Sequence, residues 1–213
     1  MTIGGSMTSV DASAARIDGR TARAERTRSA IVEAHLALIG EGDLRPTGER
    51  IAERAGISLR ALWTNFKDME ALFAASGQRL AQRQAEEFRP VPPDLPLPQR
   101  VEEFCVQRAK MLEILAPCAR AARLREPFSA QLRQNKLVAI SLVREEIEVL
   151  FAGELALAGD DREQLLDSLT VASTYASWSM MRDELGLDVA SARGAMTRTV
   201  TALLLAAIAG GLR

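Results

Sequence analysis

Apolar residues recur along most of this chain at every third or fourth position, which is the spacing of one face of an α-helix. Between Ala24 and about Gly40, this face carries Ile31, Ala34 and Leu38. Strict alternation of apolar and polar residues, the pattern of a half-buried strand, is absent. The chain is also rich in Ala, Leu, Arg and Glu, which lose little conformational freedom in a helix. The sequence therefore predicts an all-α protein.

Three more helical patterns follow the first helix, and cap and turn residues separate them. Thr47 is suited to cap a short helix, which ends at Gly56 because a left-handed terminal position favours a residue without a Cβ. Ser58 is suited to cap the next helix, which runs to about Phe66. Asp68 is suited to cap a fourth, longer helix. The first four helices are thus predicted to be closely spaced.

A proline-rich stretch, RPVPPDLPLP, ends the fourth helix near Phe88. Proline lacks an amide donor and disfavours helix in the residue before it, so this stretch predicts a hinge or linker. Longer helical patterns follow the linker. They predict helices over about 99–115, which stops before Pro117, and over about 120–125, 128–151, 162–185 and 190–210.

These patterns divide the chain into four regions. Residues 1–22 are small, polar and unpatterned, and we expect a flexible basic arm there. Residues 23–80 hold the first four helices, and residues 81–98 hold the end of the fourth helix and the linker. Residues 99–213 form a second helical domain.

Composition excludes some classes of function. The net charge of −1 excludes a uniformly basic nucleic-acid binder. A local basic run does occur near the N-terminus, where it is either a solvated tail or a nucleic-acid contact. Its members are Arg16, Arg20, Arg23, Arg26 and Arg28, opposed by Asp18 and Glu25.

The cysteine and histidine content argues against metal and redox chemistry. Cys105 and Cys118 form no CxxC motif, and the chain has one histidine, which excludes a zinc finger and favours a reducing cytoplasm. No nucleophile motif, metal-ligand spacing or phosphate-binding glycine loop is present. The most apolar stretch, VTALLLAAIA, is about half the ~20 residues that a membrane span needs. We therefore expect no enzyme, no cofactor, no metal and no membrane span.

The stretch GISLRALWTNFKDMEALF carries the most specific signal. Two short helices joined by Gly-Ile-Ser predict a helix-turn-helix, in which the N-terminal residues of the second helix meet base edges in the major groove. Ordinary helical cores use this turn too. The order of segments is more specific: IVEAHLALIGEGD, TGERIAERAGIS, LRALWTNF and KDMEAL, over about 28–80, resemble the N-terminal domain of the TetR (tetracycline repressor) family of bacterial transcription regulators. Beyond the linker, only the all-helical architecture is similar.

Three positions depart from the family pattern. Trp63 stands in place of the usual tyrosine, and Asn65 in place of a histidine or tyrosine. Met69 replaces a lysine that supports a phosphate contact in the family, and Lys67 is a candidate to replace that lysine.

The resemblance implies specific roles for residues of the second short helix. Trp63 is expected to pack its ring on the domain and donate its indole N–H to a phosphate, with a plain core anchor as the alternative. Arg60 is expected either to read a guanine or to face solvent, and Asn65 to pair with adenine or a phosphate. The implied DNA contacts are Arg28, Thr47, Ser58, Leu59, Arg60, Ala61, Trp63, Thr64, Asn65 and Lys67.

The resemblance also implies a ligand-binding and dimerisation domain over residues 99–213. Residues 195–209 are apolar nearly all round, which favours burial on more than one side; the resemblance implies a homodimer through the last two helices. A small-molecule effector would occupy a cavity between the helices. The candidate lining residues are Phe104, Met111, Phe128, Tyr175, Trp178 and Met181.

The function that the resemblance implies is a ligand-responsive repressor, a homodimer that binds an inverted-repeat operator in double-stranded DNA and is released by a small molecule. The alternative is a helical adaptor or ligand-binding protein that has lost specific DNA binding. Met69 and the near-neutral N-terminal domain are the arguments for that alternative.

Overall fold

A computed structural model describes residues 8–211 of the chain and the side chains of residues 21–210. The described residues form helices and connecting turns with no β-strand among them, which confirms the all-α prediction. The chain divides into two compact units, residues 1–76 and 77–213. The division falls within the fourth helix, four residues before the boundary at residue 80 that the sequence predicts.

Unit 1 is built from the first four helices, and the predicted caps begin three of them. The Thr47 hydroxyl accepts the Arg50 amide at 3.4 Å, the Ser58 hydroxyl accepts that of Ala61 at 3.1 Å, and Asp68 accepts that of Ala71 at 2.8 Å. These bonds satisfy amides that a helix start leaves without a partner. The helices are α1 (Thr8–Gly40), α2 (Gly48–Arg54), α3 (Leu59–Asn65) and α4 (Met69–Glu87).

The first helix begins earlier than the pattern predicts. α1 starts at Thr8 and not at Ala24, so it covers most of the predicted arm. This part of the chain is rich in alanine and arginine, which favour helix even where no apolar stripe marks a buried face. Residues 1–7 of the predicted arm lie outside the described residues.

Unit 1 has a core that each of its helices helps to form. Ile31, Ile51, Leu62 and Leu72, one from each helix in order, are fully buried. The buried His35 lies with its Nδ1 at 2.9 Å from the Ser76 hydroxyl, so this polar ring has a hydrogen-bond partner. α3 is therefore anchored by its buried face, and its opposite face is left to solvent.

Unit 2 contains six helices among its described residues. Turns of 3₁₀-helix at 126–128 and 159–161 precede α6 and α8, and a π-helical turn at 180–184 follows α9. The helices are α5 (Leu97–Arg123), α6 (Ala130–Leu150), α7 (Ala152–Leu157), α8 (Arg162–Ala172), α9 (Tyr175–Ser179) and α10 (Val189–Gly211).

The predicted helix end before Pro117 is wrong, because α5 runs through this residue to Arg123. An interior proline costs about 3 kcal/mol through its missing amide and its bulky ring. Tertiary contacts offset this cost: Ala116 and Ala121 are buried, and Arg120 pairs with Asp183 at 2.9 Å. Packing thus outweighs the local preference of proline.

The single helix predicted over 162–185 is also wrong, because it breaks after Ala172. At the break the Ser173 hydroxyl donates to the Leu169 carbonyl at 2.7 Å, and Arg108 donates to the Ser173 carbonyl at 3.1 Å. Side-chain donors therefore take carbonyls that helix amides would otherwise need. The spacing of apolar residues gives no sign of either of these two hydrogen bonds.

All six helices from α5 to α10 contribute to the core of unit 2. Phe104 meets Phe151 edge to face, with ring centroids 5.5 Å apart. α10 buries one stripe with a spacing of four residues: Ala192, Met196, Val200 and Leu204. On its other side Leu205 is 53% exposed. α10 therefore has apolar side chains that the core of this unit does not cover.

Candidate nucleic-acid interface

A four-residue turn, Ala55 to Ser58, joins α2 to α3. Gly56 lies at φ +67°, where a Cβ would be strained. The Ile57 amide donates to the Ala52 carbonyl at 3.0 Å, which closes the turn tightly. The turn therefore fixes the angle at which α3 leaves α2.

The outer face of α3 is exposed. Leu59 and Trp63 are 36% and 38% exposed, and Arg60 and Thr64 are also exposed, while Leu62 is fully buried. Arg60 carries no ion pair among the described side chains. This face can thus approach a partner without unfolding the unit.

Trp63 packs on the first residue of α2. A Cβ built at Gly48 would lie 2.6 Å from Cζ2 of the Trp63 ring and 3.2 Å from Cδ1 of Leu59. Only glycine leaves room for the indole in this position. The ring is therefore packed on α2 and is also partly exposed, and the predicted donation of its indole N–H to a phosphate stays a prediction. The sequence pattern gives no sign of the part that Gly48 plays.

Two predicted contacts are turned back on their own helix. The Thr64 hydroxyl donates to the Arg60 carbonyl at 2.8 Å, and the Asn65 amide donates to the Ala61 carbonyl at 2.8 Å. The Thr64 methyl group and oxygen stay available at the exposed surface. The Asn65 oxygen and its second amide proton take no part in this bond, and its predicted contact with a base or a phosphate stays a prediction.

Four other predicted residues lie at the edges of the same surface. Thr47 and Ser58 accept amides with their oxygens. The Thr47 hydroxyl also donates to the Glu49 carboxylate, whereas the Ser58 hydroxyl proton can still be donated to an anion. Ala61 is half-buried and keeps the surface of α3 shallow. The Lys67 side chain is 82% exposed, with its ammonium 3.9 Å from Asp68.

Arg28, one of the predicted DNA contacts, lies against the end of α3. Its guanidinium stacks over the Phe66 ring, 4.2 Å from the ring centroid, and donates to the Asn65 carbonyl. These contacts tie α1 to the end of α3, and they engage one face and one nitrogen of the guanidinium. Arg28 therefore has a structural role, and its predicted contact with DNA stays a prediction.

The arginines of α2 are neutralised by nearby carboxylates. Arg50 lies 2.6 Å from Asp43, and Arg54 forms a bidentate pair with Glu41. The hydrogen bond from Arg54 holds the pKa of the Glu41 carboxyl below its usual range. Among the described side chains, positive charge without such a partner therefore lies elsewhere in unit 1, at Arg45, at Arg60 and on α1.

Five of the six predicted ligand-binding residues of unit 2 are buried or half-buried. Phe104, Met111 and Trp178 are at most 3% exposed, and Tyr175 and Met181 are half-buried. Phe104 and Trp178 belong to one core, with Tyr175 and Met181 packed against it. A surface hollow of about 290 Å³ lies elsewhere in unit 2, at the linker, and none of the predicted residues lines it.

The polar tips of the two rings already have partners. The Trp178 indole donates to Glu113 at 2.8 Å, and the Tyr175 hydroxyl donates to the Ala116 carbonyl at 3.4 Å. Arg182 also contacts Glu113, at 3.2 Å. A ligand that uses either ring as a donor would have to displace these bonds.

Phe128 does not join this group, because its side chain is 90% exposed. It ends a 3₁₀ turn that follows Arg125, and Ser129 then caps α6 by accepting the Leu132 amide at 3.0 Å. Phe128 therefore precedes the helix and is turned to solvent, which corrects its predicted place in a cavity.

Comparison with protein-family models, with curated proteins and with solved structures finds no match to this chain. Among the described residues, no three His, Cys, Asp or Glu side chains gather as a metal site would require. In the same part of the chain, no helix combines the length and apolar character of a membrane span.

Proposed function

We propose that this protein is a DNA-binding transcription regulator of the TetR type, which acts in the cytoplasm and binds double-stranded DNA. The observation that carries this proposal is the exposed face of α3. Leu62 anchors the buried side of α3, and Ser58 caps its first turn. The contact of Trp63 with Gly48 holds the aromatic ring at one edge of the exposed face. A short helix held this firmly, with its polar face open, has the form of a helix that enters a major groove.

The two kinds of DNA contact are assigned to different residues of this face. Arg60 is exposed and without an ion pair in the described part of unit 1, so its guanidinium is the base reader and pairs with guanine. Trp63 is only 38% exposed, at the edge of the face. Its indole N–H meets a phosphate, which positions the helix without reading sequence.

A homodimer presents two such helices to the two halves of an inverted repeat. A two-fold axis places the half-sites about 34–36 Å apart, one turn of the duplex. We place the dimer contact on the last two helices, because α10 leaves Leu205 and the neighbouring Ala202 and Ala206 exposed. Its apolar outer side would then be covered by the same side of a second copy.

Regulation is proposed to be release of DNA by a small-molecule effector that enters unit 2 near Trp178. α4 runs without a break from unit 1 into unit 2, so a change at its C-terminal half can be passed along one helix. A coupling of ~1–3 kcal/mol lowers operator affinity about 5–150-fold. Reciprocity requires that operator DNA weaken effector binding by the same factor.

The test compares two variants on the operator selected by the wild-type protein. Arg60→Ala should flatten the preference at one or two base positions, by about 1–3 kcal/mol. Trp63→Ala should weaken binding to all duplexes equally, since a phosphate contact carries no base information. Circular dichroism of both variants controls for folding. An unchanged base preference in Arg60→Ala would remove its role as a reader.

An absence of DNA binding by the wild-type protein would favour the second candidate, a helical adaptor. Residues 21–76 carry eight Lys and Arg against eight Asp and Glu, a net charge of zero, which is the observation behind this candidate. Titration of a random-sequence duplex at two salt concentrations separates the two functions, because a DNA-binding protein loses affinity steeply with salt.

A further inference from the structure

An open hollow lies beside the start of α3, and the DNA contacts assigned above do not use it. It has a volume of about 490 Å³ and lies entirely within unit 1. Its wall joins α1 to the turn before α3, and Ile57 directly precedes the cap Ser58. The lining residues are Arg23, Arg26, Thr27, Ala30, Ala55 and Ile57.

The only charged groups that line this hollow are two arginines. Arg23 and Arg26 are both exposed, and neither has an ion pair among the described side chains. Glu25 lies between them in sequence, but neighbours one or two positions apart on a helix do not share a face. The Thr27 hydroxyl donates to the Arg23 carbonyl at 3.0 Å. The hollow is thus a small concave surface of uncompensated positive charge.

We propose that the hollow at Arg23 and Arg26 binds phosphates of the DNA duplex outside the half-site read by α3, so that α1 clamps the flanking backbone. This inference rests on the proposed function. Phosphate is the chemistry that fits, because guanidinium groups bind phosphate oxygens through charge-assisted bonds and no acidic group opposes them in the wall. The hollow shares the Ile57 end of the turn with α3, so its phosphates lie beside the half-site.

The experiment uses the full chain and the operator selected by it, as two duplexes. One duplex keeps ten base pairs of random flank on each side, and the other is trimmed to the ends of the inverted repeat. The test variant is Arg23→Gln/Arg26→Gln. Arg89→Gln/Lys136→Gln removes the same charge from unit 2 and serves as the matched control. Affinity is measured at a series of salt concentrations.

On the long duplex, the plot of log affinity against log salt concentration should be less steep for the test variant, by ~0.9 for each lost phosphate contact. Two arginines per protomer give a change of about 1.8, and a dimer on both half-sites gives about 3.6. On the trimmed duplex, it should bind as the wild type does. The base preference should not change. Arg23→Lys/Arg26→Lys should keep most of the slope, because the charge is retained, and the control should match the wild type on both duplexes.

Three results would overturn the inference. An unchanged salt slope on the long duplex would show that the arginines contact no phosphate. An equal loss on the trimmed duplex would place their contact inside the half-site or in folding. A wild-type protein that binds neither duplex would overturn the proposed function itself. The first two results, obtained with a wild-type protein that does bind the operator, would overturn only the flank contact.

Discussion

Replacing Gly48 with alanine tests whether the Trp63 ring is held where the proposed DNA contact needs it. The new Cβ would stand 2.6 Å from Cζ2 of the indole, whereas ordinary van der Waals contact begins near 3.4 Å. The ring is rigid, so the indole or the start of α2 has to shift. The neighbouring Leu59 methyl group, at 3.2 Å, can yield by a small rotation.

Two opposing contributions set the size of the effect on stability. Alanine in place of glycine stabilises a helix by about 0.5–1 kcal/mol, and less at its first residue. Overpacking by one methyl group costs about 1–3 kcal/mol. We therefore expect Gly48→Ala to lower the free energy of unfolding by roughly 1 kcal/mol, although alanine has the better helix propensity.

A double-mutant cycle with Trp63→Ala isolates the contact. In that background no ring opposes the new methyl group, so Gly48→Ala should be neutral or stabilising, and the coupling energy should be about 1–3 kcal/mol. Gly40→Ala is the matched control, since a Cβ there meets no atom within 4 Å. Chemical denaturation gives the free energies, and acrylamide quenching follows the exposure of Trp63, because Trp178 is 1% exposed.

A zero coupling energy would refute this reasoning, because it would mean that Trp63 does not pack on Gly48 in solution. Equal quenching of the wild type and Gly48→Ala would point the same way. If the ring does move, the variant should bind all duplexes more weakly while it keeps the base preference of the wild type.

Further predictions concern other parts of the chain. Arg28→Ala should lower the free energy of unfolding by about 1–3 kcal/mol, because the contacts with the Phe66 ring and the Asn65 carbonyl are lost. A loss of DNA affinity without a loss of stability would contradict the structural role of Arg28. Pro117→Ala should raise the free energy of unfolding by about 1–3 kcal/mol, because it restores an amide inside α5. A thermal unfolding midpoint lower than that of the wild type would contradict this prediction. Burial raises the pKa of the Cys105 and Cys118 thiols to about 11, so at pH 8 only about 0.1% is thiolate, and iodoacetamide should label them after unfolding but not before.

The helix caps of unit 1 could be predicted because they depend on neighbours in sequence. Thr47, Ser58 and Asp68 each accept an amide three residues ahead, and the positive φ of Gly56 follows from its place between two helices. Local chemistry determines these features, so a local pattern is enough to find them.

The errors arise where a distant group decides the local structure. The Arg108 side chain, 65 residues away, takes the Ser173 carbonyl at the break after α8. Pro117 stays helical because packing on both sides outweighs its preference. No periodicity within one segment carries this information.

The candidate DNA surface was predicted in outline but not in its details. Arg60 and Trp63 are exposed on α3, and their contact with DNA stays a prediction. The part of Gly48 and the hollow at Arg23 and Arg26 depend on close approaches between helices, which the sequence alone does not give. Asn65 bonds its own helix, and a helical wheel cannot show that.

Selection of bound sequences from a random pool of duplex DNA tests the central claim most directly. The wild-type protein should enrich an inverted repeat whose half-sites lie about one helical turn apart, and its affinity for that repeat should fall steeply with salt. The same selection with Arg60→Ala should return a repeat with one or two base positions flattened. No enrichment by the wild-type protein, with a weak affinity that does not change with salt, would contradict the account.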